Sequence, residues 1–275
     1  MTYREAIGLG EKLLTEADIV DAKTDAWMLL EWTAKINRSF YYMHMNDEIP
    51  KDRAAEFEAV LRKRAEHIPL QYIIGETEFM GLPFKVNSNV LIPRQDTETL
   101  VEEALKLAEP GMRVFDMCTG SGCIIISILH HGKELEGFAS DISKAAINVA
   151  KENAKLNGVI ATFEKSDLFD MVTEKFDVIV SNPPYIPTDV IAGLMPEVAM
   201  YEPFGALDGK EDGLHFYRRI INDSKAYLNP EGMLLFEIGH DQGESVSDLM
   251  KEAGFKGVRV IKDLAGNDRV VIGGL

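Results

Sequence analysis

Val114-Phe115-Asp116-Met117-Cys118-Thr119-Gly120-Ser121-Gly122-Cys123, running on into Ile124-Ile125-Ile126, carries the reading of the fold. A short apolar strand ends near an acidic residue, a small glycine-bearing turn follows, and an apolar run opens a helix. In a doubly wound α/β sheet, such a turn brings backbone close to a nucleotide-like ligand. The dinucleotide spacing G-x-G-x-x-G is absent, and Cys118 stands where its first glycine would be. Working outward, the strand Gly137-Phe138-Ala139-Ser140 ends at Asp141, roughly 20 residues beyond the turn, where a ribose hydroxyl pair is usually held. Asp141 also reads as a helix N-cap, a task Ser143 could share. A third strand ends in Phe163-Glu164-Lys165-Ser166-Asp167-Leu168. Asp167 could accept from an adenine amino group while Leu168 packs on the ring. As a solvated loop acid Asp167 reads equally well.

The fourth strand tip is more specific. The apolar run Phe176-Asp177-Val178-Ile179-Val180 leads into Asn182-Pro183-Pro184-Tyr185. Proline cannot donate to a sheet ladder, so the strand must stop there. Two successive prolines leave a stiff turn that presents acceptors only, the Asn182 side-chain oxygen and the Pro183 carbonyl. Such a cradle suits a conjugated, poorly nucleophilic NH2 group, whose hydrogens it would grip while Tyr185 supplied a flat wall. A plain strand-ending turn uses the same residue types. The order of the four tips (glycine turn, Asp, Asp, Asn-Pro-Pro-Tyr) is what separates the two readings.

With Asp116 before it, the first loop resembles the D-x-x-x-G-x-G loop of class I methyltransferases. The chain more specifically resembles the release-factor glutamine N5-methyltransferases, the PrmC/HemK family. The matching segments are Leu91-Ile92-Pro93-Arg94-Gln95-Asp96-Thr97-Glu98, Asp116 to Ile124, Ser181 to Ile186, Glu202-Pro203-Phe204-Gly205-Ala206-Leu207 with Asp212-Gly213-Leu214 and Tyr217-Arg218, Glu237-Ile238-Gly239 with Gln242-Gly243, and Pro69 to Gly75. Gln95 stands where the family has proline, which loosens a turn. The resemblance implies a class I Rossmann-like methyltransferase sheet with a small N-terminal helical bundle. It implies S-adenosylmethionine as cofactor, S-adenosylhomocysteine as product, and the Gly-Gly-Gln glutamine of class I peptide-chain release factors as acceptor. Cofactor contacts are expected from Asp116, Cys118, Thr119, Gly120, Ser121, Gly122, Asp141, Asp167, Leu168 and Asn182. Catalysis is expected from Asn182, Pro183 and Tyr185, and substrate contacts from Asn182, Pro183, Pro184 and Tyr185. The rival readings are methylation of a ribosomal-protein glutamine, methylation of adenine N6 in nucleic acid, and a silent cofactor-binding module.

Composition narrows the field. The 275 residues are 46% hydrophobic, ample for a core, and carry a net charge of −16. That balance argues against direct nucleic-acid binding, which normally needs a basic stripe. Cys118 and Cys123 read as free thiols, and no Cys/His set has metal-ligand spacing. No apolar stretch reaches transmembrane length and Met1-Thr2-Tyr3-Arg4-Glu5 lacks a signal-peptide core, so the cytoplasm is the expected location; a monomer is expected as the default state. Apolar residues at helical spacing predict a small helical bundle over 1–68, with stripes Ala6, Leu9, Leu13, Leu14 and Ala26, Leu29, Leu30, Thr33; the resemblance implies that this domain binds the protein substrate. Pro50 is expected to start a helix that turns Phe57, Val60 and Leu61 inward. Residues 69–95 predict a β-hairpin connector, and alternating strand and helix patterns over 96–275 predict a doubly wound sheet closing on two strands around Asn267-Asp268, which the resemblance makes the methyltransferase domain.

Overall fold

Thr2 starts the first helix with a capping box. Its hydroxyl accepts from the Glu5 N–H, and the Glu5 carboxylate takes the Thr2 N–H. In the computed structural model, which describes all 275 residues, α1 (Tyr3–Glu16) is followed by α2 (Ala22–Ala34), α3 (Arg38–His44), α4 (Lys51–Ala65) and the short α5 (Leu70–Ile74). These helices, with Met195–Tyr201 from far along the chain, form one unit. Its core holds Ala6, Leu14, Leu29, Leu30, Phe57 and Leu61. Pro50 caps α4, and Phe57, Val60 and Leu61 turn inward as expected. The stripe of α1 is rotated from its expected position. Leu9 is exposed, and Gly10 faces the core instead. A Cβ on Gly10 would lie 2.9 Å from the Ala26 Cβ, so α1 and α2 cross where only glycine fits.

The distant segment joins this unit through a buried ion network. Arg64 donates to Asp25 Oδ2 at 2.7 Å and to the Ile68 carbonyl at 3.2 Å, and its Nη2 lies 2.6 Å from Glu197. Tyr201 adds a bond from its hydroxyl to the Glu66 carbonyl. Nothing in the local sequence around 195–201 announced this placement.

The second unit comprises Glu76–Leu194 and Glu202–Leu275. It opens with the hairpin β1 (Glu76–Phe79) and β2 (Leu82–Lys85), turned by Met80 and Gly81 at positive φ. Then come α6 (Glu98–Leu107), β3 (Arg113–Met117), α7 (Cys123–His131), β4 (Glu136–Asp141), α8 (Lys144–Leu156), β5 (Ala161–Lys165) and β6 (Phe176–Ser181). After the excursion that includes α9 (Pro196–Tyr201), the chain returns through α10 (Phe204–Leu207), α11 (His215–Ser224), β7 (Leu228–Glu237), α12 (Gly243–Glu252), β8 (Lys256–Lys262) and β9 (Asp268–Gly274). The hairpin therefore packs with the sheet unit, while α5, from the same expected connector, packs with the helices.

The seven-stranded sheet runs β5-β4-β3-β6-β7-β9-β8; β9 alone is reversed, pairing antiparallel with both β7 and β8, while the other six strands share one direction. Strand order reverses between β3 and β6, which makes their carboxyl ends the crevice of an open α/β sheet. Apolar cores fill both faces. One contains Ile124, Ile125, Ile128 and Ile147 with the hairpin's Phe79 and Phe84; the other contains Phe115, Phe176, Tyr217 and Phe236. No helix is long and apolar enough to cross a membrane.

Candidate active site

Parallel pairing of β3 with β6 sets Met117 opposite Ser181, so the glycine loop and the Asn-Pro-Pro-Tyr turn leave the sheet side by side. Ser181 fastens the pair by donating its hydroxyl to the Met117 carbonyl at 2.8 Å. A cavity of about 330 Å³ opens at this edge, a size usual for small-molecule sites. Cys118, Thr119, Gly120 and Ser121 line it, as do Asp141, Asp167, Leu168, Asn182 and Pro184. Residues from four separate strand tips thus meet in one place.

The loop's shape comes from its backbone. Cys118, Gly120 and Gly122 all have positive φ, at 62°, 54° and 81°. Cys118 bears that conformation despite its side chain, a strain typical of functional sites. Burial pushes its thiol well above the ordinary range, so it stays neutral. Asp116 does not line the cavity. It lies fully buried beneath the loop, where Oδ2 accepts from the Thr119 hydroxyl at 2.5 Å and from the Ile125 N–H at 3.3 Å. Oδ1 has no partner, and burial pushes the carboxyl up to about 7. Asp116 therefore shapes the loop from below. Gly122 also lies off the cavity wall. A Cβ there would come within 2.9 Å of Ile126 and 3.0 Å of Ala150, so this glycine lets α7 and α8 approach.

Asp141 is fixed by two N–H donors, Gly120 to Oδ2 at 2.9 Å and Ser143 to Oδ1 at 2.8 Å. Ser143 meanwhile caps α8 by accepting from Ala146, which settles the choice between the two candidate caps. Each Asp141 oxygen keeps a lone pair for a further donor, the arrangement a vicinal hydroxyl pair requires. Burial raises its pKa. Asp167 is paired with Arg219 at 3.0 Å, and its side chain is 40% exposed. Leu168 sits at φ 47°, held by the Ser166 hydroxyl donating to its carbonyl at 2.8 Å, and offers a buried apolar surface to the cavity.

Along the turn, side chains alternate. Asn182 and Pro184 face the cavity, while Pro183 and Tyr185 are absent from its wall. The Tyr185 ring is partly buried against the core, with its hydroxyl 3.5 Å from Glu237 Oε1. Gln242 donates to the Tyr185 carbonyl at 3.0 Å, and Gly209 and Gly213 press on the same backbone where no Cβ would fit.

Several contributors lay outside the expected set. Asn153 of α8, wholly buried, donates to the Ser121 carbonyl at 2.9 Å and exchanges bonds with Lys85 of β2 at 2.7 and 3.0 Å. It braces the glycine loop against the hairpin. Arg94 lines the cavity and grips both oxygens of Glu202 at 2.7 Å. Thr97 lines it as well and takes the Asn182 side-chain N–H at 3.4 Å. Arg94, Thr97 and Glu202 sit in segments the family resemblance had already singled out, which was the only signal for them.

The reversal of strand order, the glycine loop and the acidic β4 tip define a class I methyltransferase. Residues 5–75 match the family described as PrmC N-terminal domain, and residues 95–193 the Methyltransferase small domain. A release factor glutamine methyltransferase of Cereibacter sphaeroides is 42% identical over 273 residues, covering 98% of each chain. One of Clostridium acetobutylicum is 40% identical over 279 residues, covering 99% of this chain and 98% of that one. A solved methyltransferase of Pyrococcus furiosus shares the fold at TM-score 0.54 and 18% identity, over 70% of this chain and 89% of that one. The chain belongs to the release factor glutamine methyltransferase family.

Proposed function

We propose that this enzyme transfers a methyl group from S-adenosylmethionine to the side-chain amide nitrogen (N5) of the glutamine in the Gly-Gly-Gln motif of class I peptide-chain release factors, and so modulates translation termination. The observation that carries it is Asn182 on the cavity wall at the tip of β6, in a turn whose two prolines remove competing donors. S-Adenosylmethionine, when bound, supplies an electrophilic sulfonium methyl and leaves as S-adenosylhomocysteine.

The residues present fit that cofactor. Asp141 retains acceptor capacity for two ribose hydroxyls, Leu168 offers an apolar face to the adenine, and Asp167 can accept from its amino group. Loop residues Cys118 to Ser121 would hold the methionine portion. Asn182 Oδ1 and the Pro183 carbonyl take the two amide hydrogens of the substrate glutamine. Both bonds pull electron density toward nitrogen and aim its lone pair. Tyr185 braces the turn from behind. No base is needed before attack, because alkylation acidifies the nitrogen and the proton then leaves to solvent. The helical unit, 1–75 with 195–201, holds the protein substrate. The enzyme acts as a cytoplasmic monomer, without direct nucleic-acid contact.

The test is incubation with labelled S-adenosylmethionine and unmodified class I release factor, followed by peptide mass spectrometry. A single methyl on the Gly-Gly-Gln glutamine is expected. Transfer to a ribosomal protein or to nucleic acid instead would overturn the assignment.

A further inference from the structure

Asn182 can serve as an acceptor only if its amide is oriented with oxygen toward the cavity and NH2 away from it. An amide carries two donors on one side and an acceptor on the other, and the wrong orientation would present hydrogens to hydrogens. Behind the turn lies a carboxyl with no assigned task. Glu237, the last residue of β7, is 2% exposed, and its Oε2 makes no full hydrogen bond. Interactions with the Thr97 hydroxyl and the Asn182 amide favour its charged form against burial. Thr97, itself 2% exposed, also accepts from Asn182 Nδ2 at 3.4 Å.

We propose that Glu237 is a positioning residue that sets the polarity of a chain running from its carboxylate through Thr97 to Asn182, and so presents the Asn182 oxygen to the acceptor amide. The reasoning is one of donors and acceptors. An ionised carboxylate can only accept, so the Thr97 hydroxyl must donate to it. The Thr97 oxygen is then left as an acceptor, and Asn182 must supply its NH2. The carboxylate, whose charged form the Asn182 amide also favours, attracts the same NH2 group. Asn182 Oδ1 is thereby left facing the cavity. Protonating Glu237 relaxes the constraint, because a carboxylic acid can donate to Thr97 or to the Asn182 oxygen and pull the amide round.

Other ionisable groups face this carboxyl from each neighbouring element. Asp96 precedes Thr97, Arg269 reaches in from β9, Tyr185 stands in the turn, and Tyr217 of α11 and Cys123 of α7 feel its charge. Arg269 is shared with Asp96 and Asp263, both at 3.1 Å, so it favours the carboxylate without neutralising it outright. Burial comes first among these influences, and the Glu237 carboxyl is pushed up to about 7. The polarity of the chain therefore changes near neutral pH.

The proposal rests on the amide-methylation reading given above. The experiment measures kcat for release-factor methylation between pH 5.5 and 9 in wild type, Glu237→Gln and Thr97→Val, with cofactor affinity by calorimetry alongside. Wild-type kcat should fall below a midpoint near 7. Glu237→Gln should lose about tenfold in kcat at pH 8 and lack that acid limb, with cofactor affinity held within about twofold. Thr97→Val should move the limb to higher pH, because the lost hydroxyl favoured the charged carboxyl. A wild-type kcat and acid limb in Glu237→Gln overturns the proposal. If that variant does not fold, an unshifted limb in Thr97→Val overturns it instead. Absence of transfer by the wild-type enzyme would sink the amide-methylation reading itself, a separate outcome.

Discussion

Two turns emerge from neighbouring strands and do opposite things. After β3 the chain runs through Cys118, Gly120 and Gly122 at positive φ, a path that glycine favours and that is held from below by a buried carboxyl. After β6 it runs through Pro183 and Pro184, which fix φ and remove two donors. The first turn gains its shape from conformational freedom tied down by hydrogen bonds to Asp116, Asp141 and Asn153. The second is stiff by covalent structure and is clamped by Gln242, Gly209 and Gly213. On the proposed function, one sheet edge would present a conforming loop to the cofactor and a rigid acceptor to the nucleophile. If the proposed roles hold, binding and reactivity belong to separate, neighbouring turns and should separate under mutation.

The sharpest way to break that comparison is Asn182→Ala. It should reduce kcat by about 10²- to 10³-fold, the usual cost of removing one preorganised hydrogen-bonding group, with cofactor affinity within about twofold. Equal losses in both quantities would make Asn182 a structural residue. Asp141→Ala should do the reverse. It removes a carboxylate expected to take two hydroxyls and loosens Gly120, so cofactor Kd should rise roughly 10- to 100-fold by titration calorimetry. An unchanged Kd would move the ribose site elsewhere.

Thr119→Val deletes the bond to Asp116 and leaves that buried carboxyl held only by the Ile125 N–H. The expected cost is about 1–3 kcal/mol in denaturant unfolding, with a looser cofactor site. The smallest effect should come from Asp116→Asn and appear in the pH dependence of stability. The native carboxyl titrates near 7, whereas the unfolded one does so near its ordinary value of 3.8. Between those values the native state keeps a proton that the unfolded chain has lost. Asp116 thus contributes stability at low pH that is lost as pH rises toward 7. The asparagine variant should show a shallower decline in Tm across that window. An identical slope would mean that Asp116 is ionised in the native protein throughout.

Much of this site could be read from local sequence because each strand tip announces its own chemistry. A glycine turn after an apolar strand, an acid ending the next strand and a double proline ending another need no tertiary information. The readings that shifted are those that depended on which way a side chain points. Asp116 and Gly122 belong to the loop's motif, but one lies beneath it and the other meets α8. Tyr185 belongs to the turn, but its ring is partly buried against the core. Leu9 of α1 faces solvent because the closest crossing of α1 and α2 falls at Gly10, which a hydrophobicity pattern does not rank as a core position.

The sequence by itself determined the sheet class, the order of the strand-tip motifs and the stiffness of the Asn-Pro-Pro turn. All three follow from backbone constraints acting over a few residues. Only the tertiary structure decided that Glu237 and Thr97 stand behind Asn182, that Asn153 braces the glycine loop, and that residues 195–201 pack with the helices. Those pairings join residues tens to more than a hundred positions apart. They exist because parallel strand order and buried ion pairs bring distant segments together, and no local propensity encodes that.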